Sequence, residues 1–226
     1  MRKKPEMEGI LLVNKPKGKT SFSLIHELRK ITGVQKIGHS GTLDPFATGV
    51  MVLLIGKKFT KKSQTFTFQD KEYIARVHLG FETETYDSDS EKIAVSDRIP
   101  EKEEIEKALE QFQGEVEQTP PMFSAKKVKG VRLYKLARQG VEIERPKKIV
   151  SMTTTMLGYE YPYLDIHVRC SKGTYIRSIA YDLGKVLGVG AYLSELKRTA
   201  QGPFRLDQCL DYEKLCDCKN HLVTPS

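Results

Sequence analysis

Long hydrophobic runs are missing from this 226-residue chain. No stretch approaches the roughly 18 consecutive apolar residues of a membrane span. Met1 to Gly9 carries charge with no apolar core behind it, so neither export nor membrane insertion is indicated and a cytoplasmic protein is expected. Cysteine is scarce. Four residues, Cys170, Cys209, Cys216 and Cys218, read as free thiols in an unexported chain of this size. Cys216, Cys218 and His221 lie close in sequence, yet Cys-x-Cys with one His lacks a fourth ligand and the usual zinc spacing, so no metal is expected. Common catalytic fingerprints are also absent. No Gly-x-Ser-x-Gly, His-Glu-x-x-His or dinucleotide motif occurs, which removes support for serine hydrolase, zinc protease and dehydrogenase readings. Gly33 to Ser40 is one residue from a phosphate-binding P-loop, but a helix pattern precedes it and an Asp-Pro turn follows. Asp87, Asp89 and Glu91 echo a calcium loop whose sixth and twelfth positions are here Lys92 and Arg98, where Gly and Glu are required.

What the chain does have is uneven charge. Its net charge is +8, but residues 1–62 carry +9, residues 82–117 carry −9, and Lys126 to Arg205 is basic again. The cationic residues recur in clusters: Lys15, Lys17 and Lys19; Lys57, Lys58, Lys61 and Lys62; Lys126, Lys127, Lys129 and Arg132; Lys147 and Lys148. Solvated helix faces also produce lysine runs, but repeated clusters are the footprint that a polyphosphate would require.

The chain reads as mixed α+β. Gly9 to Asn14 predicts a short strand, and Thr20 or Ser21 can cap a helix whose Phe22, Ile25, Leu28 and Ile31 recur before Gly33 ends it. Val50 to Ile55 is an apolar run of strand length. Lys71 to Leu79 alternates, with Tyr73, Ala75, Val77 and Leu79 on one face and Ile74 on the other. Glu101 to Phe112 predicts a solvated helix closed by Gly114. Residues 141–170 alternate as strands, and Gly173-Thr174 opens an amphipathic helix that carries Arg177 in its first turn and ends at Gly188. The regular rhythm of a parallel sheet is missing, so a large, mostly antiparallel mixed sheet flanked by helices is expected.

One run stands apart. Gly38-His39-Ser40-Gly41-Thr42-Leu43-Asp44-Pro45-Phe46-Ala47-Thr48-Gly49 fixes a carboxylate in a glycine-punctuated loop, and Pro45 biases Asp44 toward extended backbone. By itself an Asp-Pro pair in a loop is more often a turn cap than a catalytic group. The rest of the chain decides the matter. Lys15-Pro16-Lys17-Gly18 with Thr20-Ser21 precedes the run. Lys71-Glu72-Tyr73 to Gly80, then Thr83, Thr85 and Asp87, follow it. Further on come Pro120-Pro121-Met122-Phe123-Ser124-Ala125, Leu133 to Arg138, Lys172-Gly173-Thr174-Tyr175-Ile176-Arg177 and Leu196-Lys197-Arg198.

In order and spacing these segments, spread over roughly residues 9–205, resemble the bacterial tRNA pseudouridine-55 synthase family of the TruB type. The resemblance implies a pseudouridine synthase fold, an isomerase, and tRNA as partner through its T-arm. It implies Asp44 as the essential carboxylate, Arg177 as its ion-pair partner, and Tyr73 as the aromatic residue against the target uracil. His39, Tyr175, Leu196, Lys15, Lys61, Lys126 and Arg198 are the implied RNA-binding residues. A catalytic domain over residues 1–208 is expected, with a short tail over 209–226 in which Asp211 to Leu215 can make one helical turn. That tail is too short for the separate RNA-binding (PUA) domain that many members carry. Gly56-Lys57-Lys58-Phe59-Thr60-Lys61 is one residue longer than the family's usual Gly-x-Ala-Thr-Lys.

The chemistry fits those residue types. Making pseudouridine breaks the bond from C1′ to N1 and joins C1′ to C5 without oxidation or an external donor, so no cofactor is expected. A carboxylate can enter as nucleophile at the sugar or at uracil C6, or as base toward the C2′ proton. Each route needs it ionised, which a neighbouring guanidinium favours and burial alone opposes. A stacked T-loop uridine must also be flipped out, at a cost of a few kcal/mol, and held against an aromatic surface. Nothing resembles a dedicated dimer interface, and a monomer without an obligate protein partner is expected. The alternative from another class is an RNA chaperone that binds tRNA with incidental or no catalysis.

Overall fold

The computed structural model describes residues 7–128 and 130–223. Lys129, a member of the third basic cluster, lies outside the described residues. The chain divides into two compact units, one of residues 1–73 with 196–226 and the other of residues 74–195. It leaves the first unit and returns to it within two long strands. The fold is α+β, a mixed sheet with helices.

In the first unit, β1 (Gly9–Lys15) is apolar and almost wholly buried because it has neighbours on both edges. Helix α1 (Ser21–Thr32) follows. Thr20 caps it by accepting a hydrogen bond from Ser23 N at 2.9 Å, and Gly33 closes it with φ 75°, a left-handed conformation cheapest for glycine. Its buried face is Leu24, Ile25 and Leu28, whereas Phe22 is 64% exposed. The expected stripe was therefore drawn one residue off: Leu24, not Phe22, completes the inward face. Strand β2 (Ile37–His39) forms a hairpin with β3 (Thr48–Ile55), which lies antiparallel to β1 along its other edge. Short helices α2 (Lys57–Thr60) and α3 (Ser63–Thr67) place Phe59 and Phe66 in one cluster with Ile10, Leu12, Val50, Val52 and Leu54. Each such side chain contributes roughly 1.5–3 kcal/mol on burial. Strand β4 (Lys71–Leu79) crosses into the second unit with Tyr73, Ala75, Val77 and Leu79 buried and Ile74 exposed, as its alternation requires.

The second unit continues with a small ribbon, β5 (Phe81–Thr83) and β6 (Lys92–Ala94). Helix α4 (Lys102–Leu109) starts with a reciprocal Glu101/Glu104 capping box, turns its acids outward and ends in a 3-10 turn at Phe112. Strand β7 (Gly114–Gln118), a two-residue hairpin β8 (Lys127–Val128) and β9 (Val131–Arg132), and α5 (Leu133–Ala137) lead to β10 (Lys148–Glu160) and β11 (Tyr163–Cys170). β7, β10 and β11 are antiparallel neighbours, and β4 lies beyond β11. Helix α6 (Ile176–Leu187) buries Ile176, Ile179, Ala180, Leu183 and Leu187, and Gly188 ends it.

Strand β12 (Ala191–Gln201) returns to the first unit, where Lys197 and Arg198 pair in parallel with Thr48 and Gly49. β13 (Phe204–Arg205) folds back on β12. The tail is more ordered than one helical turn. β14 (Leu210–Asp211) and β15 (Leu222–Val223) both pair with β1, and the 3-10 stretch Tyr212–His221 between them buries Leu215 and Cys218. Those apolar contacts are what order residues whose sequence alone reads as polar.

Candidate active site

Within the first unit, the Asp44 loop is held from four directions. Gly18 N (2.8 Å) and Lys15 Nζ (3.3 Å) both donate to Pro45 O. Ser21 Oγ donates to Leu43 O at 3.1 Å and accepts from Leu43 N at 3.0 Å. Arg198 Nε donates to Val50 O at 2.7 Å and Nη2 to Gly41 O at 3.2 Å. Gln201 Nε2 donates to Ser40 Oγ at 2.6 Å and to Phe66 O at 2.9 Å. A polar loop packed this way satisfies its backbone internally and leaves Asp44 half-buried at the turn, where Ala47 N donates to Asp44 O. Gly49 shows how close the packing is. At φ 102° a Cβ there would sit 2.2 Å from Arg198 O.

Lys15 and Arg198, expected among the RNA-binding residues, face into the protein. Both side chains are buried, at 0% and 1% exposure. Lys15 directs its ammonium to Pro16 O, Lys19 O and Pro45 O, and Arg198 turns inward to the loop's carbonyls. Burial brings the Lys15 pKa down to about 8, opposed by the nearby Asp44 carboxylate and assisted by Arg198. Leu196 is likewise buried at 7% exposure, and its carbonyl accepts from Thr48 Oγ1. His39 is half-buried. Burial first, and the Arg198 guanidinium second, hold its imidazole below the usual range, so it is neutral at pH 7. Gly41 N donates to its Nδ1 at 3.3 Å, which places the proton of the neutral ring on Nε2. Tyr73 is buried in β4, and Lys61 is exposed just after α2.

In the second unit, Arg177 is buried among acceptors. Nη1 meets Asp87 Oδ2 at 3.1 Å and Thr85 O at 3.0 Å, and Nη2 donates to Phe123 O at 2.9 Å. The pair is nearly dry, its side chains 7% and 4% exposed. Asp87 is in turn fixed by Thr85 Oγ1 at 2.6 Å and Asp89 N at 2.9 Å. The start of α6 is clasped by Gln118, which accepts from Tyr175 N at 2.7 Å and donates to Tyr175 O at 3.0 Å. Tyr175 itself is half-buried, and Lys126 donates to Pro146 O at 3.3 Å. Sequence reasoning missed Gln118 and Gln201, which no charge or motif singles out, and it quoted Asp87 in the segment after Gly80 without assigning it a role. Among the described residues no group of three or more His, Cys, Asp or Glu is arranged to hold a metal ion.

Comparison with known proteins identifies the family. Residues 29–176 match the model of the TruB family pseudouridylate synthase N-terminal domain, a span that contains Asp44, Tyr73 and Asp87. The chain belongs to the TruB family. Residues 177–223 match the tRNA pseudouridylate synthase B C-terminal domain, so the TruB match continues through Arg177 and into the ordered tail. TruB relatives include tRNA pseudouridine synthase B of Protochlamydia amoebophila, 58% identical over 91% of this chain and 78% of its own length. That of Chlamydia abortus is 56% identical over 96% of this chain and 92% of its own. Among solved structures, a chain of a Cbf5-Nop10-Gar1 complex superposes with TM-score 0.73 at 29% identity, covering 93% of this chain and 54% of that one. A chain of an H/ACA RNP bound to a substrate RNA containing 2′-deoxyuridine gives TM-score 0.68 at 27% identity, covering 92% and 52%. The TruB chain thus spans about half the length of those two solved chains.

Proposed function

We propose that the protein is a tRNA pseudouridine synthase that isomerises the T-loop uridine at position 55. The single observation that carries the reading is the loop Gly38 to Gly49, fixed by hydrogen bonds from Lys15, Gly18, Ser21, Arg198 and Gln201 around one half-buried aspartate. Such preorganisation is what chemistry at a single carboxylate needs. The family assignment supplies the substrate class: relatives that this chain covers over most of their length are tRNA pseudouridine synthases.

The reaction is balanced without a cofactor. The C1′–N1 bond breaks, C1′ joins C5, the C5 hydrogen leaves as a proton, and N1 gains one. Asp44 enters as nucleophile or as base. Arg177, following the family, pairs with the ionised Asp44, and Tyr73 supports the flipped uracil. His39 Nε2 and Tyr175 contact the displaced T-loop. Lys61 and Lys126 neutralise phosphates, while Lys15, Leu196 and Arg198 act through the Asp44 loop. The protein works in the cytoplasm as a monomer; no helix among its described residues is long and apolar enough to cross a membrane.

The test is tritium release from unmodified tRNA labelled at uracil C5. One equivalent per tRNA is expected from the intact protein and none from Asp44→Asn, with both binding tRNA. Binding without release from the intact protein would overturn the reading in favour of a tRNA-folding protein.

A further inference from the structure

Tyr86 is the one non-glycine residue among those described whose backbone is left-handed, at φ 62°. For a bulky residue this costs on the order of 1–3 kcal/mol and persists only where the surroundings impose it. The surroundings here are helix α6. The Tyr86 ring stacks on Tyr181 with centroids 3.9 Å apart and planes 11° from parallel. Tyr181 follows Arg177 by four residues, and Lys185 follows Tyr181 by four, so the three share one helix face. The Lys185 ammonium lies 5.1 Å from the Tyr181 ring centroid and pairs with Glu82 at 2.8 Å. Residues 82–87 are thereby joined to α6 by three rungs: Glu82 with Lys185, Tyr86 with Tyr181, and Asp87 with Arg177.

The outer rung is exposed on its Lys185 side and contributes little. The middle rung matters because of what flanks it. Arg177 takes its acceptors Thr85 O and Asp87 Oδ2 from the residues on either side of Tyr86. If Tyr86 relaxes to an ordinary φ, those two acceptors turn away from each other and the guanidinium loses the pair that fixes its Nη1.

We infer that Tyr86 and Tyr181 are positioning residues for the isomerisation: their stack locks the turn that aims Arg177. The inference rests on the proposed synthase activity, since it assigns Arg177 a part in the reaction. A displacement of about an ångström at a reacting centre can lower a rate on the order of a hundredfold.

The experiment compares Tyr181→Ala, Tyr181→Phe and Asp87→Asn, singly and with Tyr181→Ala and Asp87→Asn combined, by single-turnover tritium release, tRNA affinity and thermal unfolding. Expected are a loss of about tenfold or more in rate for Tyr181→Ala, tRNA affinity within about twofold, and recovery to within about twofold in Tyr181→Phe, which keeps the stack. The combined variant should be no slower than Asp87→Asn alone, because both act through the same carboxylate. A Tyr181→Ala rate within twofold of the parent overturns the inference. So does a Phe variant as slow as the Ala variant, or penalties that multiply. Should Tyr181→Ala unfold, Tyr181→Leu is read in the same way. Absence of release from the unsubstituted protein would sink the functional reading alone; the positioning is then judged by the Arg177 Nε–H resonance. Sharp in the parent and Phe variant but broadened in the Ala variant, it supports the inference; unchanged in all three, it overturns it.

Discussion

Gly49 and Lys15 set the tolerances of the Asp44 loop, and each makes a sharp demand. Gly49→Ala combines a φ of 102° with a Cβ 2.2 Å from Arg198 O, so a loss of at least about 3 kcal/mol is expected in urea unfolding. Lys15 makes a pH-dependent one. Its folded pKa, about 8, lies below the ordinary 10.5, so the unfolded chain binds the proton more tightly. Its contribution to stability is therefore full above pH 10.5 and lost as pH falls through 8. Measured against Lys15→Met, the parent should gain urea resistance between pH 8 and 10. Tritium release should move the other way. A neutral amine has only two protons for its three carbonyl partners, and Asp44 loses a neighbouring cation, so the rate should fall above about pH 8. Arg198 and Lys61 separate two uses of positive charge. Arg198→Met should destabilise the fold, leaving Gly41 O and Val50 O without their donor, whereas Lys61→Ala should weaken tRNA binding with unfolding unchanged. Sequence alone could not make that distinction. It singled out Asp44 through the order and spacing of the segments around it, but a cationic head group reads the same whether it meets a phosphate or a buried carbonyl.

At the scale of elements, periodicity gave the types of several of the longer helices and strands and missed what depends on neighbours. β4 and α6 were legible because each has one clean apolar stripe. β12 was not read as a strand. Its sequence AYLSELKRTAQ mixes charge with apolar residues, and the buried Arg198 and Gln201 make sense only beside the Asp44 loop. The two tail strands were equally hidden, since two residues carry no period and only β1 gives them a register. Gly184 shows the same dependence within α6. A Cβ there would meet Ala191 N at 2.2 Å, so the residue lets the next strand's backbone approach the helix. Gly184→Ala should cost stability although alanine is the better helix former, which thermal unfolding would show against a neutral result at an open helical position. Asp87→Ala tests the buried pair at this scale. Removing one partner of this buried pair should cost about 3–5 kcal/mol.

For the molecule as a whole, charge is partitioned between the two units. Residues 1–73 with 196–226 carry nineteen Lys and Arg against ten acids, while residues 74–195 carry eighteen against nineteen. Binding to tRNA should be strongly salt-dependent. If about six phosphates are neutralised, affinity should fall roughly a thousandfold between 50 and 200 mM salt, and filter binding across that range checks it. A slope near zero would mean that the lysine clusters are only solvated faces. The clamp on Asp44 also carries a timetable. Its loop is translated more than 150 residues before Arg198 and Gln201, the side chains that hold Gly41 and Ser40. At about 5–20 residues per second, those partners reach the ribosome's exit some ten to thirty seconds later. Until then the emerging polypeptide has an aspartate but no fixed place for it, and a basic surface that can already attract RNA without altering it. Catalytic competence is withheld until Arg198 and Gln201 have emerged.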